Sequence, residues 1–224
     1  MKICAISDMH GQYDFNIDPV DILFICGDII PLYMQRNEQQ SFSWLKKFFI
    51  PWCEKQECKQ IYLIAGNHDF AFEHNDKEIN EIFQSTKIIY LNNQGAEYYD
   101  EDLDKTYTIW GSPMCHIFYN WAFMYNPEYE YDEFSKMTNN CDFVLTHDAP
   151  YGTSDICLEG WNHEHIGNPE LRDVVLEKNP KYLFHGHLHS TNHDCEMLGN
   201  TKVYNVSLLN EDYKLEYYPL YLEV

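Results

Sequence analysis

Short apolar segments recur along the chain and are separated by polar residues that favour turns. Each segment is rich in Ile, Val, Leu, Tyr and Phe and is closed by residues such as Gly, Asn, Asp or Pro. Segments of this length and composition are typical of buried β-strands. In chain order they are KICAIS, ILFICG, IYLIAG, KIIYL, YTIWG, FVLTH, YLFHG and KVYNVS.

A first helix is predicted between two of these strands. From Glu38 to Phe49, apolar residues recur at Phe42, Leu45 and Phe49, a spacing that places side chains on one helical face. Pro51 follows closely. Because proline lacks the N–H that the helix interior needs, we expect this helix to end there.

A second predicted helix begins at Asn168 and Pro169, which provide an N-cap and a first-turn proline. Pro180 is expected to end it before the next strand. The side chains that would face the core are Leu171, Val174 and Val175.

Strands and helices alternate along the chain, which favours an α/β fold in which helices cover the sheets. The strands between Lys87 and Trp110 follow one another without an intervening helix, which indicates mixed rather than purely parallel sheets. A length of 224 residues suits one domain with a full core, so we expect residues 1–224 to form a single domain.

The charge balance is strongly acidic. With 15 Lys and Arg against 36 Asp and Glu, the formal net charge is −21. Binding along duplex nucleic acid depends on basic side chains that neutralise phosphates, so we do not expect it here. No apolar window reads as a membrane span and the first residues lack the features of a secretory signal, so no membrane association is expected.

The 8 cysteines are scattered and form no Cys-x-x-Cys pair. Cys4 and Cys26 lie in apolar segments, where a thiol packs as a small hydrophobic group. Cys53 and Cys58 are close in sequence, but we expect free thiols in a chain of this size without a signal. These features predict a reducing, cytoplasmic location.

Polar motifs follow several of the predicted strands, each at the carboxyl end. They are Asp8-Met9-His10, Gly27-Asp28, Gly66-Asn67-His68-Asp69, Thr146-His147 and Gly186-His187-Leu188-His189. In open α/β sheets, ligands bind in the crevice beyond the carboxyl ends of the strands. A lone His or Asp would more simply be a surface or hydrogen-bonded residue. The ordered set instead predicts that separated segments deliver side chains to one point.

These motifs supply carboxylates, imidazoles and an amide, a donor set that suits Mn, Fe, Zn, Ni or Co. Their number exceeds the need of one ion, which predicts two divalent transition-metal ions, with manganese expected first. Asp28 is the natural bridge, because a carboxylate offers an oxygen to each cation. Two cations roughly 3.5–4 Å apart would share a water, lower its pKa and clamp phosphoryl oxygens. The predicted ligands are Asp8, His10, Asp28, Asn67, His147, His187 and His189.

In these motifs the chain resembles the calcineurin-like metallophosphoesterase superfamily. The pattern D-x-H, G-D, G-N-H, an isolated H and G-H-x-H is matched in order across residues 8–189. The resemblance implies a four-layer sandwich of two mixed β-sheets flanked by α-helices, and a His68 that contacts the phosphate and protonates the leaving oxygen. For the first metal it implies the ligands Asp8, His10, Asp28 and His189. For the second it implies Asp28, Asn67, His147 and His187.

A more specific likeness is to a branch of small single-domain cyclic-nucleotide phosphodiesterases. The segments that resemble this branch are Gly111-Ser112-Pro113, Trp121-Ala122-Phe123 and Ile166-Gly167-Asn168-Pro169-Glu170-Leu171. Asp69 departs from it, because a glutamate is expected after the Asn-His pair. The shorter acid could change how His68 is oriented.

An aromatic stretch near the motifs has two interpretations. Phe118, Tyr119, Trp121 and Phe123 could stack a nucleobase or could simply pack in the core. The predicted substrate-binding residues are Asn67, His68, Phe118 and Trp121.

The remaining polar residues have simpler interpretations. We expect His185 to be a hydrogen-bonded core histidine, His193 to lie on the surface, and residues Asp100 to Asp104 to form a solvated turn. Satisfied polar groups beside the cleft are expected at His116, His163 and His165.

The leading hypothesis is an enzyme that hydrolyses a small nucleotide phosphodiester, such as a cyclic nucleotide. A metal-bridging hydroxide would attack phosphorus, with Asp28 holding both ions and His68 assisting departure of the leaving group. A phosphomonoesterase or a single-strand nuclease is an alternative function, although the sequence shows no basic stripe that would bind an extended nucleic acid. The alternative from another class is a scaffold that keeps the fold for partner binding. We expect a small phosphoester substrate and a monomer or homodimer.

Overall fold

The computed structural model describes residues 1–157 and 164–224, and two β-sheets form its centre. The strands of the first sheet are β1 (Lys2–Ile6), β2 (Ile22–Cys26), β3 (Gln60–Ile64), β4 (Ile88–Tyr90) and β13 (Leu220–Glu223). They lie in the order β13-β1-β2-β3-β4, with β13 antiparallel to β1 and the other neighbours parallel.

The second sheet is mixed in the same way. Its strands are β5 (Gln94–Asp100), β6 (Lys105–Ser112), β9 (Phe143–Thr146), β10 (Tyr182–His185), β11 (Glu196–Leu198) and β12 (Thr201–Asn205). Their order is β11-β12-β10-β9-β6-β5, with antiparallel pairs at both edges and parallel pairs between them. A short parallel ribbon joins β7 (Cys115–His116) to β8 (Met124–Tyr125).

Helices cover the outer face of each sheet. They are α1 (Glu38–Trp44), α2 (Ile50–Lys55), α3 (Phe70–Glu73), α4 (Asp76–Phe83), α5 (Pro127–Phe134) and α6 (Pro169–Lys178). Apolar residues of α1 to α4 pack on the first sheet, and those of α5 and α6 pack on the second.

Between the two sheets lies a core of large apolar side chains. Phe24 of β2 contacts Phe143 of β9 and Phe184 of β10, with ring centroids 5.2 and 5.6 Å apart. Burial of such surface is the main favourable contribution to folding. The layers therefore run helix, sheet, sheet, helix, which confirms the predicted four-layer α/β sandwich.

The predicted strands are all present, and so is the second predicted helix. The Asn168 side chain accepts the N–H of Leu171, and α6 ends at Asn179 in a left-handed conformation before Pro180. The strands β5, β11 and β13 at the sheet edges were not among the predicted segments. In β5 only Tyr98 and Asp100 are buried, so this strand lacks the apolar run by which the buried strands were recognised.

The expected end of the first helix at Pro51 is wrong. A π-helical turn, Leu45–Phe49, joins α1 to α2, and the Ile50 N–H donates to the carbonyl of Leu45, five residues back. This wider turn places Pro51 in the first turn of α2, where a missing N–H costs little. The helical segment therefore continues to Lys55.

Two smaller expectations also need correction. Asp100 is buried and accepts the N–H groups of Asp102 and Leu103, so it holds the turn rather than facing solvent. His193 is half-buried, because its ring stacks on Tyr217 at 3.6 Å. The residues from 101 to 104 are exposed, as expected of a turn.

The cysteines match the sequence expectation. Cys53 and Cys58 are free thiols, and Cys4 and Cys26 are buried in the core. Among the helices of the described ranges, none combines the length and the apolar character needed to cross a bilayer.

Candidate metal centre

The parallel registers of the strands bring the polar motifs to one edge of the sandwich. Cys26 of β2 pairs with Ile64 of β3, so Asp28 and Asn67 leave neighbouring strands at the same level. In the second sheet, β9 lies beside β10, so His147 and His187 likewise follow adjacent strand ends. The predicted ligands from both sheets meet at this edge.

Sharp turns after the strands aim the ligands inward. Asp8, His10, Asp28 and His187 have backbone φ angles of 55°, 44°, 52° and 68°. Non-glycine residues seldom adopt this left-handed region, and when they do they cluster at functional sites.

Two glycines allow the carboxylates to come close. A Cβ atom on Gly66 would lie 2.2 Å from Oδ1 of Asp28, and one on Gly186 would lie 2.2 Å from Oδ2 of Asp8. Neither distance is possible without a shift. Both motifs therefore require glycine, because the carboxylates of Asp28 and Asp8 lie where a Cβ atom would be.

Asp28 occupies the middle of the cluster. Its Oδ2 atom lies 3.7 Å from Nε2 of His10 and 3.4 Å from Nε2 of His147. Its Oδ1 atom accepts the backbone N–H of His68 at 2.8 Å. One carboxylate thus faces histidines on both sides, the position that a bridging ligand needs.

The first side of the cluster consists of Asp8, His10 and His189. One ligand atom from each of the three lies within 4.8 Å of the others. The Nε2 atom of His189 is 3.3 Å from Oδ1 of Asp8, and its Nδ1 donates to the carbonyl of Asn210 at 2.9 Å. Ser207 donates to the other carboxylate oxygen of Asp8. Such outer contacts fix the orientation of metal-binding side chains.

The second side consists of Asn67, His147 and His187. The Oδ1 atom of Asn67 lies 2.9 Å from Nε2 of His147 and 2.9 Å from Nδ1 of His187. The other ring nitrogen of His147 donates to the carbonyl of Cys26 at 2.8 Å. Three ligand atoms therefore converge here as well.

His10 tests whether these residues fit a metal. Both of its ring nitrogens are buried, and neither has a hydrogen-bond partner among the residues that the structure describes. Burial lowers the pKa of His10 to about 4. A buried, neutral and unpaired imidazole is costly unless its lone pair binds something. A cation at this point would bind the lone pair of the His10 ring.

Charges within the cluster oppose the effect of burial. Burial would raise the pKa of Asp28, but His147 and His68 hold it well below its usual range. Burial would lower the pKa of His147, but Asp28 raises it to about 10. In the same way Asp8 raises the pKa of His189 to about 9. Histidine binds a metal only as the neutral ring, so a divalent cation bound beside the ionised carboxylates would displace the protons of His147 and His189.

His68 lies beside the cluster rather than within it. Its Nε2 atom is 3.9 Å from Oδ2 of Asp28, and its Nδ1 atom contacts the amide oxygen of Gln35. The Trp121 ring packs on it with centroids 4.4 Å apart. Burial lowers the pKa of His68.

The hydrogen bonds of the Asp69 carboxylate go to backbone N–H groups, whereas the His68 ring is held by Gln35. The carboxylate accepts the N–H groups of Ile29, Ile30 and Gly66 at 2.9–3.1 Å. It therefore fixes the loop that carries Asp28.

A cavity of about 170 Å³ opens over the cluster. Its walls include Phe118 and Trp121, which the sequence suggested, and Glu211 and Tyr213, which it did not. Tyr213 follows β12 in a loop without periodic pattern or motif, so the sequence held no signal for it. Gln35 was missed for the same reason.

The other histidines have structural partners. His116 pairs with Asp148 at 2.7 Å and His165 with Asp155 at 2.6 Å, so both are satisfied as expected. His185 is buried and contacts the carbonyl of Gly186, and burial lowers its pKa to about 4. His163 lies outside the described residues.

Comparison with known proteins agrees with this geometry. A family model described as calcineurin-like phosphoesterase matches residues 1–191. No curated protein matches the chain.

Solved structures share the architecture at low sequence identity. A phosphopantetheinyl hydrolase from Mycobacterium tuberculosis aligns with a TM-score of 0.59 and 14% identity, over 95% of this chain and 90% of that one. TT1561 of Thermus thermophilus aligns with a TM-score of 0.52 and 14% identity, over 91% of this chain and 88% of that one. Another crystal structure aligns with a TM-score of 0.66 and 15% identity, over 91% of this chain and 89% of that one. At such identities the likeness concerns the fold.

Proposed function

Because this chain belongs to the calcineurin-like phosphoesterase family, we propose that it hydrolyses small phosphodiesters, foremost cyclic nucleotides, with two divalent metal ions. The observation that carries the proposal is the position of Asp28 between His10 and His147, at 3.7 and 3.4 Å. A carboxylate so placed can hold two cations at once, and paired cations are the usual solution for in-line displacement at phosphorus.

The residues that would hold the ions are those of the two sides of the cluster. Manganese is our first choice, with Fe, Zn, Ni or Co as alternatives, because mixed oxygen and imidazole donors suit all of them. Two such ions, when bound, supply positive charge for the phosphoryl oxygens and lower the pKa of water between them.

The chain's own residues then bind and protonate the substrate. We assign to the imidazolium form of His68, protonated on both ring nitrogens, the transfer of the Nε2 proton to the leaving oxygen, because Nε2 is on the side of Asp28 while Nδ1 keeps its proton on Gln35. Asn67 lies next to it and would contact a phosphoryl oxygen. Trp121 covers the ring and keeps water from one face of His68.

Charge favours a diester over a monoester. A phosphomonoester carries nearly two negative charges at neutral pH, because its second pKa is about 6, whereas a diester carries one. The chain has a net charge of −21, so on the approach to the site, away from the two ions, the less charged substrate meets less repulsion. The same argument supports a small substrate rather than duplex nucleic acid.

The proposal is tested with purified protein supplied with Mn²⁺. Hydrolysis of p-nitrophenyl phosphate is compared with hydrolysis of p-nitrophenyl phenylphosphonate, and then 2′,3′- and 3′,5′-cyclic nucleotides are screened with several metals. We expect the diester analogue to be preferred and His68→Ala to lower turnover. A strong preference for the monoester would replace the proposal with a phosphomonoesterase.

A scaffold protein without enzymatic activity predicts a different result. If the folded protein hydrolyses no phosphoester with any of these metals, a scaffold that binds partners replaces the enzyme. Cleavage of single-stranded oligonucleotides in preference to cyclic nucleotides would instead indicate a nuclease.

A further inference from the structure

A second, larger cavity opens beside the candidate metal centre. Its volume is about 410 Å³, within the range of small-molecule sites. Phe118, His187 and Glu211 line both this cavity and the smaller one over the metal ligands. A molecule whose phosphoryl group lies at the metal ligands can therefore extend directly into the larger cavity.

The walls of the larger cavity are mostly apolar. Phe118 and Tyr151 provide aromatic rings, and Ile166, Leu188 and Pro169 provide aliphatic surface. Such a lining stabilises a planar organic group by burial and by ring contacts.

Besides His187 and Glu211 at the wall shared with the smaller cavity, the imidazoles of His116 and His165 line this cavity. The Nδ1 atom of His116 lies 2.7 Å from Oδ2 of Asp148, and that of His165 lies 2.6 Å from Oδ1 of Asp155. Both carboxylates are fully buried. Because each ring is held through Nδ1, its Nε2 edge is the one left for a ligand in the cavity that both rings line.

The charge of the cavity excludes an acidic group. Each imidazole faces a carboxylate, so any positive charge on it is balanced, and Glu211 adds a negative charge at the shared wall. A second phosphate or a carboxylate would meet no net positive charge here. An uncharged ring with hydrogen-bonding edges meets apolar walls and two imidazole edges.

We infer that the larger cavity binds the nucleobase end of the substrate, an uncharged heteroaromatic group, and so selects nucleoside phosphodiesters over diesters with small substituents. The inference rests on the proposed function, since the metal ligands must hold the phosphoryl group. The nucleobase is a part of the substrate that hydrolysis at phosphorus does not itself require.

The test uses two esters with the same leaving group. Thymidine 5′-(p-nitrophenyl phosphate) carries a nucleoside, whereas methyl p-nitrophenyl phosphate carries only a methyl group. For the wild-type chain with Mn²⁺ we expect kcat/KM to be at least tenfold higher for the thymidine ester. Ile166→Trp, which fills the cavity without removing a hydrogen bond, is expected to lower the ratio of the two kcat/KM values at least tenfold.

His165→Ala is a second variant, and it should lower the same ratio mainly through KM for the thymidine ester. His74→Ala is the matched control, because this exposed histidine lines neither cavity, and it should leave the ratio at the wild-type value. Melting temperatures show whether each variant is folded.

The outcomes separate the two ideas. If the wild-type chain hydrolyses neither ester, the proposed function fails. If it hydrolyses the methyl ester but shows no preference for the thymidine ester, or if folded Ile166→Trp and His165→Ala keep the wild-type ratio, only the inference about the cavity is overturned.

Discussion

The side-chain amide oxygen of Gln35 accepts a hydrogen bond from Nδ1 of His68. An amide oxygen can only accept, so this contact places one proton on Nδ1, and Nε2, 3.9 Å from Asp28, carries a second, transferable proton only when the ring is an imidazolium. An uncharged residue from a loop before α1 therefore sets the orientation of the predicted proton donor.

Gln35→Ala is expected to lower kcat for a phosphodiester by roughly tenfold or more, because the His68 ring loses the partner that fixes its orientation. Metal content should stay at the wild-type value, since Gln35 contacts no predicted ligand. Steady-state kinetics with Mn²⁺ and metal analysis measure both effects. Gln84→Ala, at an exposed position just after α4, is the control, and equal kinetics for the two variants would contradict the role of Gln35.

Removal of the shared carboxylate is expected to have a different effect. Asp28→Ala leaves two cations without the anion between them, so bound metal and activity should be lost together, the latter by roughly a thousandfold or more. Metal content measured by mass spectrometry after dialysis, together with turnover, tests this. Full retention of two ions per chain would show that Asp28 does not bridge them.

The glycine before Asn67 is expected to tolerate no side chain. In Gly66→Ala the new methyl would lie 2.2 Å from Oδ1 of Asp28, so the free energy of unfolding should fall by roughly 1–3 kcal/mol and metal affinity should fall as well. In Gly95→Ala the nearest atom is 3.6 Å away, and little change is expected. Denaturant unfolding and metal titration compare the two, and matching behaviour would refute the steric argument.

Glu130 on α5 predicts a pH dependence of stability. It is buried, Oε2 accepts a hydrogen bond from Asn168 at 3.1 Å, and Oε1 has no partner within the described part of the chain. Burial raises the pKa of Glu130 from 4.5 to about 7. Below about pH 4.5 the carboxyl is protonated in the folded and unfolded chains alike. Between pH 4.5 and 7 it ionises more readily in the unfolded chain, so stability falls as pH rises.

Glu130→Gln removes this penalty. It should raise the free energy of unfolding by roughly 1–3 kcal/mol at pH 8 and by much less near pH 4.5. Thermal or denaturant unfolding across this pH range measures the difference from the wild-type chain. Glu128→Gln, an exposed position on the same helix, should show no such trend, and a constant gain for Glu130→Gln at every pH would contradict the assignment.

The convergence of the predicted metal ligands could be foreseen from the sequence because each follows a buried strand. Asp8, Asp28, Asn67, His147 and His187 stand at points where an apolar run ends, and parallel registers then bring those ends together. A continuous apolar run followed by a polar motif is visible without any structure.

The residues that support these ligands and His68 were not predictable in this way. Gln35, Ser207, Asn210 and Tyr213 lie in loops, and their positions depend on how the loops pack rather than on a local pattern. The π-helical turn before Pro51 was missed for a related reason. Helical spacing is visible in sequence, whereas one added residue in a turn is fixed by packing.

The left-handed backbone lowers thermal stability at residues that the proposed catalysis needs. These residues are Asp8, His10, Asp28 and His187. Such a conformation costs a residue with a Cβ roughly 1 kcal/mol or more, and the buried carboxylates repel one another when no cation is present. Exchange of Asp8 for Gly would relieve both burdens and disable the enzyme. Laboratory evolution that selects for melting temperature alone should therefore enrich variants that have lost residues of the candidate metal centre. A screen for stable variants has to measure metal binding as well.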